Sequence, residues 1–122
     1  MPLPMRTLDS GEWVVLQVAG EIDMASAPQL RQRVVALVTD GVRALVLDLS
    51  NIGFCDSTGL GVIVAAVKRL RTNDGDLRVV TNDERLLALF EITRLDQVFE
   101  VFPDIDAASA TAPAAHPDES GH

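Results

Sequence analysis

A chain of 122 residues has the length of one ordinary domain and no room for a second catalytic one. Its hydrophobic fraction of 48% supports a true core and excludes a disordered chain; with aromatics at only 4%, that core is aliphatic. Ten Lys and Arg against 18 Asp and Glu give a net charge of −8, which argues against nucleic acid and anionic membrane as main partners and fits a protein that meets other proteins.

The lone Cys55 can form neither an internal disulfide nor a Cys-based zinc site. No apolar run approaches the ~18 residues of a membrane span, and residues 1–6 lack the apolar core of a signal peptide. The expectation is a cytoplasmic protein with no direct membrane contact.

Residues 12–19 read as a β-branched strand ended by Gly20. Ser26 opens a helix: Ser26-x-x-Gln29 matches a capping box, Pro28 suits a first turn, and Leu30, Val34, Leu37 and Val38 form one apolar stripe. Gly41 ends it. Residues 42–49 are nearly continuous aliphatic, the pattern of a central strand covered on both faces. A loop over 50–56 leads to a helix from 57 to about 72, with a core stripe of Leu60, Ile63, Val64, Val67 and Leu70. Lys68, Arg69 and Arg71 crowd its last turns, where cations suit the helix dipole. Asn73-Asp74-Gly75 is a turn, and 77–80 a short strand. Thr81 or Asn82 caps a helix through Leu86, Leu87, Leu89, Phe90 and Ile92; 97–101 is a last strand stopped by Pro103. A helix begun near Asp104 can continue to Ala112. Beyond it, a disordered tail is expected over 113–122, leaving the domain as 1–112. The order β(β)αβαβα(β)α is an α/β layer structure with a mixed or parallel sheet.

Both histidines, His116 and His122, lie in that tail, so no His-dependent triad has a frame to hold it. There is no phosphate-binding loop, no dinucleotide fingerprint, no H-E-x-x-H and no calcium loop. No enzyme, cofactor or metal site is expected.

The informative stretch is Phe54-Cys55-Asp56-Ser57-Thr58-Gly59-Leu60-Gly61, where a buried strand meets the most apolar helix. Asp56 is a natural N-cap, and Ser57 then points its hydroxyl outward at the C-terminal edge of the sheet, where open α/β folds place their sites. Capping alone would select Asp-Ser-Thr. The two glycines weigh against that reading, because each costs a helix roughly 1 kcal/mol relative to Ala; they are expected to leave a small, open surface that another protein can approach. Glu21 and Asp23, just before the first helix, serve either dipole complementarity and solvation or an interface. Cys55 reads as a small buried hydrophobe rather than a reactive thiol, Trp13 as core or strand-edge packing, and the basic run as a solvated helix end.

The strand–Gly20-Glu21-Ile22-Asp23–helix segment, followed by VLDLSNIGFCDSTGLGVIV, resembles the STAS-domain anti-sigma factor antagonists of bacteria. The late stretch LLALFEITRLDQVFEV is similar to them too. The resemblance implies a single STAS-like domain with a four- to five-stranded mixed sheet flanked by about four helices. It implies partner switching: the unphosphorylated protein binds an anti-sigma factor that is also a serine kinase, and so frees the sigma factor. Phosphorylation of the Ser after the motif Asp, here Ser57, switches it off, and a serine phosphatase reverses this. Asp23 maps to the loop Asp near the partner surface; Thr58 stands where a second Ser is common. The implied partner surface is Glu21, Asp23, Asp56, Ser57, Thr58, Gly59 and Gly61. The alternative within the same resemblance is a scaffold subunit of a membrane transport complex, in which Ser57 is never phosphorylated.

Overall fold

Alternating apolar residues build the sheet before any helix is needed. In the computed structural model, which describes residues 2–113, five strands lie in the order β1-β2-β3-β4-β5. They are β1 (Met5–Ser10), β2 (Trp13–Ile22), β3 (Ala44–Cys55), β4 (Asp76–Val80) and β5 (Glu100–Phe102). β1 and β2 form an antiparallel hairpin through Gly11, whose φ of +60° favours glycine. All other pairings are parallel, as connections through helices require. The sheet is therefore mixed and five-stranded, within the four- to five-stranded mixed sheet that the resemblance implies.

Four helices flank it: α1 (Ala27–Thr39), α2 (Ser57–Thr72), α3 (Glu84–Ile92) and the short α4 (Ile105–Ser109). On one face, Leu16 and Val18 of β2, Leu45, Leu47 and Leu49 of β3, and Leu77 and Val79 of β4 pack against α1, α2 and α3. The alternate residues Trp13, Val15, Ala44, Val46 and Val80 point the other way, under Ala108 and Ile105 of α4.

Arg78 lies on that second face, 95% buried by its 5% exposure. Its guanidinium carbon sits 4.3 Å from the Trp13 ring centroid and 5.4 Å from that of Phe102. It donates to the carbonyls of Ala108 (2.8 Å), Thr111 (3.1 Å) and Ala112 (3.3 Å), and Trp13 Nε1 donates to Thr111 at 2.9 Å. A strand cation thus satisfies carbonyls at the end of α4 and beyond it.

Several boundaries differ from expectation. β2 does not end at Gly20. It passes through with φ of +98° and shifted register and continues to Ile22. Residues 50–55 are strand, not loop, and pair with β2 as far as Ile22 opposite Cys55. β4 accompanies β3 only as far as Asp48, so the outer half of β3 is paired on one side alone among the described residues. The Ser26 capping box is not made: Gln29 Oε1 instead accepts the Leu3 amide at 2.6 Å. α3 is capped by Asp83, not Thr81 or Asn82; Thr81 Oγ1 accepts the Asp83 amide, and Asn82 donates to the Pro103 carbonyl. A 3₁₀ turn, Leu95–Gln97, opens the segment expected as strand, and β5 begins at Glu100. α4 stops at Ser109. Apart from Pro113, the tail expected over 113–122 lies outside the described residues.

Candidate functional site

The ends of β2 and β3 run side by side, with Glu21 opposite Phe54 and Ile22 opposite Cys55. The Ile22 carbonyl accepts the Asp56 amide at 3.1 Å. That bond ties the β2–α1 turn to the start of α2, so the two segments singled out in the sequence share one corner, at the C-terminal edge of the parallel strands.

At this corner Asp56 adopts extended geometry and caps α2, its Oδ1 accepting the Gly59 amide at 2.9 Å. Its carbonyl accepts the Leu60 amide at 3.0 Å. Ser57 and Thr58 are the first two helical residues, whose amides have no acceptor inside the helix. Both side chains are exposed, so the Ser57 hydroxyl is open to a docking macromolecule.

The glycines behave differently from each other, against the expectation that both keep a surface open. Gly59 is buried: a Cβ there would lie 2.7 Å from Ile22 Cγ2 and 2.8 Å from both Cys55 Sγ and the Ile22 carbonyl oxygen. It lets α2 approach the ends of β2 and β3. Gly61 is exposed, with nothing within 4 Å of the Cβ position, and does leave the helix surface bare.

Asp23 is committed to its own turn. Its Oδ1 accepts the amides of Ser26 and Ala25, each at 3.0 Å, and the Ser26 amide leads in holding the carboxyl below its ordinary value. The Ser26 hydroxyl donates to the Glu21 carbonyl at 2.6 Å and accepts the Asp23 amide at 3.0 Å. Glu21 itself is exposed. Asp83 caps α3 beside the end of β3, and its carboxyl is likewise lowered, chiefly by the Arg85 amide it accepts at 2.8 Å.

A family model described as STAS domain matches residues 5–108. The chain belongs to the STAS domain family. It is 34% identical over 101 residues to an anti-sigma-B factor antagonist of Staphylococcus aureus, covering 83% of this chain and 94% of that protein. It is 33% identical over 101 residues to the anti-sigma-B factor antagonist of Staphylococcus epidermidis, with the same coverage of 83% and 94%. The crystal structure of an anti-sigma factor antagonist from Mycobacterium paratuberculosis is similar with a TM-score of 0.80 at 34% identity, over 88% of this chain and 92% of that one.

This STAS domain also carries apolar surface at the same corner that the sequence reading did not single out. Met24 is 75% exposed and Phe54 52% exposed. Phe54 borders a groove of about 130 Å³ lined by Ile52, Cys55, Asp83, Leu86 and Leu89. That volume holds one side chain and falls well below the ~300–1,000 Å³ of small-molecule sites. The missed signal was Ile52 and Phe54 at strand spacing, hidden by reading 50–56 as loop. Cys55 is half-buried, and burial, with help from the Asp56 charge, pushes its thiol up to about 11, so it is protonated and inert at neutral pH. Among the described residues, no group of three or more His, Cys, Asp or Glu could hold a metal ion, and no helix is long and apolar enough to cross a membrane.

Proposed function

We propose that this STAS domain is a cytoplasmic, non-enzymatic anti-sigma factor antagonist that works by partner switching. Unphosphorylated, it binds an anti-sigma factor that is also a serine kinase, and the sigma factor is released. The kinase transfers the γ-phosphoryl group of ATP to Ser57: the Oγ–P bond forms, the bond to the β-phosphate oxygen breaks, ADP leaves, and the hydroxyl proton passes to a base of the kinase. A serine phosphatase hydrolyses the phosphoester and restores binding. The relatives named as anti-sigma factor antagonists support this reading. The observation that carries it is the exposed Ser57 hydroxyl on the first residue of α2, set by the Asp56 cap.

The physics of the corner suits a switch that acts on binding and not on folding. A phosphate brings about −1.5 to −2 charges. At the start of α2 it meets the positive end of the helix dipole and outward amides, worth about 0.3–1 kcal/mol in its favour. The domain therefore tolerates the modification. A partner packed on Met24, Phe54 and Gly61 does not, because it must desolvate or repel a dianion beside the existing charges of Asp56 and Glu21.

The test uses the purified protein, its cognate kinase and ATP. Intact-mass and phosphopeptide analysis should find a single added phosphoryl group, on Ser57, absent in Ser57→Ala. Ser57→Asp should lose kinase binding while its Tm stays within about 5 °C of wild type. Phosphate found only on Thr58, or equal kinase binding by wild type and Ser57→Asp, would refute the proposal.

A further inference from the structure

The groove beside the Ser57 corner has a definite size and a definite chemistry. Ile52 and Phe54, two apart on β3, turn to the same face of the sheet. Ile52 is buried there, whereas Phe54 is 52% exposed at the border of the groove between β3 and α3. Its volume of about 130 Å³ is close to the ~150 Å³ of an engineered apolar cavity that takes up benzene. The two charged residues that line it answer each other. Asp83 Oδ1 accepts the Arg85 amide at 2.8 Å, and its Oδ2 lies 3.5 Å from the Arg85 guanidinium. A charged side chain entering the groove would lose its hydration and find no free counter-charge.

What covers this groove follows from its distance to Ser57. Three residues of chain span at most about 11 Å, so Phe54 lies that close to Ser57. A stable protein contact covers about 800 Å² on each partner, a patch roughly 25 Å across. A protein that closes its active site over Ser57 therefore closes over Phe54 as well.

We infer that Phe54 and the β3–α3 groove are the anchor by which the kinase partner recognises this protein: one apolar side chain of the kinase, the size of Leu, Ile or Met, enters the groove and packs on the Phe54 ring. The inference rests on the proposed phosphorylation of Ser57. A kinase that stays bound to the unphosphorylated protein needs a desolvated apolar anchor within the contact, and the polar pair Asp56 and Ser57 does not supply one. Phe54 does not touch the reacting atoms. Its contact is the same before and during phosphoryl transfer, so it governs KM and leaves kcat alone.

The test is steady-state phosphorylation of the full chain by its cognate kinase and ATP, with kcat and the KM for this protein measured separately. Phe54→Ala should raise KM about tenfold or more and keep kcat within about twofold. Phe54→Leu, still apolar, should hold KM within about threefold of wild type. A second readout uses the wild-type protein and does not depend on how a variant folds. In its complex with the kinase and a non-hydrolysable ATP analogue, intermolecular NOEs should join the Phe54 ring and the Leu89 methyls to methyl groups of one Leu, Ile or Met of the kinase. An unchanged KM in Phe54→Ala, a loss confined to kcat, or NOEs to a polar side chain or to none would overturn the inference while Ser57 phosphorylation stands. So would sedimentation showing Phe54 buried against a second copy of this chain. A wild-type protein that the kinase does not phosphorylate on Ser57 would instead remove the proposed function, and the anchor with it.

Discussion

Two glycines within one turn of α2 make opposite demands. At Gly59 an added methyl group meets Ile22 and the Cys55 sulfur at distances no packed Cβ adopts, and part of what it meets is backbone. Gly59→Ala should therefore destabilise by about 1–3 kcal/mol, read from the denaturant midpoint. At Gly61 the same change meets open space and removes backbone entropy from the unfolded chain, so it should stabilise by about 0.5–1 kcal/mol. A Gly61→Ala protein that folds better but binds the proposed kinase partner less would show that bareness there serves contact. The neighbouring Cys55 thiol gives a prediction in pH. Burial raises it from 9.0 to about 11, so the fold favours the protonated form. That contribution is complete below pH 9 and is lost as pH rises through 11. The chain contains no Tyr and a single Lys, Lys68, which leaves little else to titrate in that window. The midpoint of unfolding should fall between those values in wild type and fall less in Cys55→Ala.

At the scale of elements, α4 is too short to hold itself together and depends on β4 for its fastening. Arg78 supplies charged donors to three carbonyls there and is stacked on Trp13 and Phe102. Arg78→Ala should cost about 2–4 kcal/mol. It should also shift the emission of Trp13, the only tryptophan, to longer wavelength as the Thr111 contact loosens. Nothing local in the sequence marks Arg78 as buried, since it is a cation in a short aliphatic strand whose acceptors lie 30 residues and more along the chain. The stripes of α1 and α2 and the Asp56 cap were legible because each is a pattern within one element. The α1 cap was not, because Gln29 was taken by the distant Leu3 amide, a tertiary bond outcompeting a local one. The β3 boundary was misplaced because small and polar residues, Ser50, Asn51 and Gly53, interrupt a strand held by its neighbour β2. The Ser57 corner was readable as a motif; its apolar part was not, because exposure depends on which strands stop short.

The whole molecule is polarised. Carboxylates of Glu21, Asp23, Asp56 and Asp83 gather about the Ser57 corner, while the α1–α2 flank is basic. A partner that packs an apolar surface on this corner gains little steering from its charge. The association rate in stopped flow should therefore change less than about twofold as salt rises from about 0.05 to about 0.3 M, and the added charge of Ser57→Asp should act mainly on the dissociation rate.

The unequal lengths of β3 and β4 carry a consequence of their own. Beyond Asp48, β3 has β2 on one side and no strand on the other among the described residues. Successive amides of a parallel strand point to alternate sides, so along 49–55 those turned toward β2 are held by it while those turned away meet no strand, and the Ser50 amide donates to Asp48 Oδ1 at 3.0 Å instead. Deuterium uptake there should alternate residue by residue, fast and slow, within one continuous strand. The segment that delivers the chain to Ser57 is thus the part of the sheet that can bend or fray without unzipping the centre.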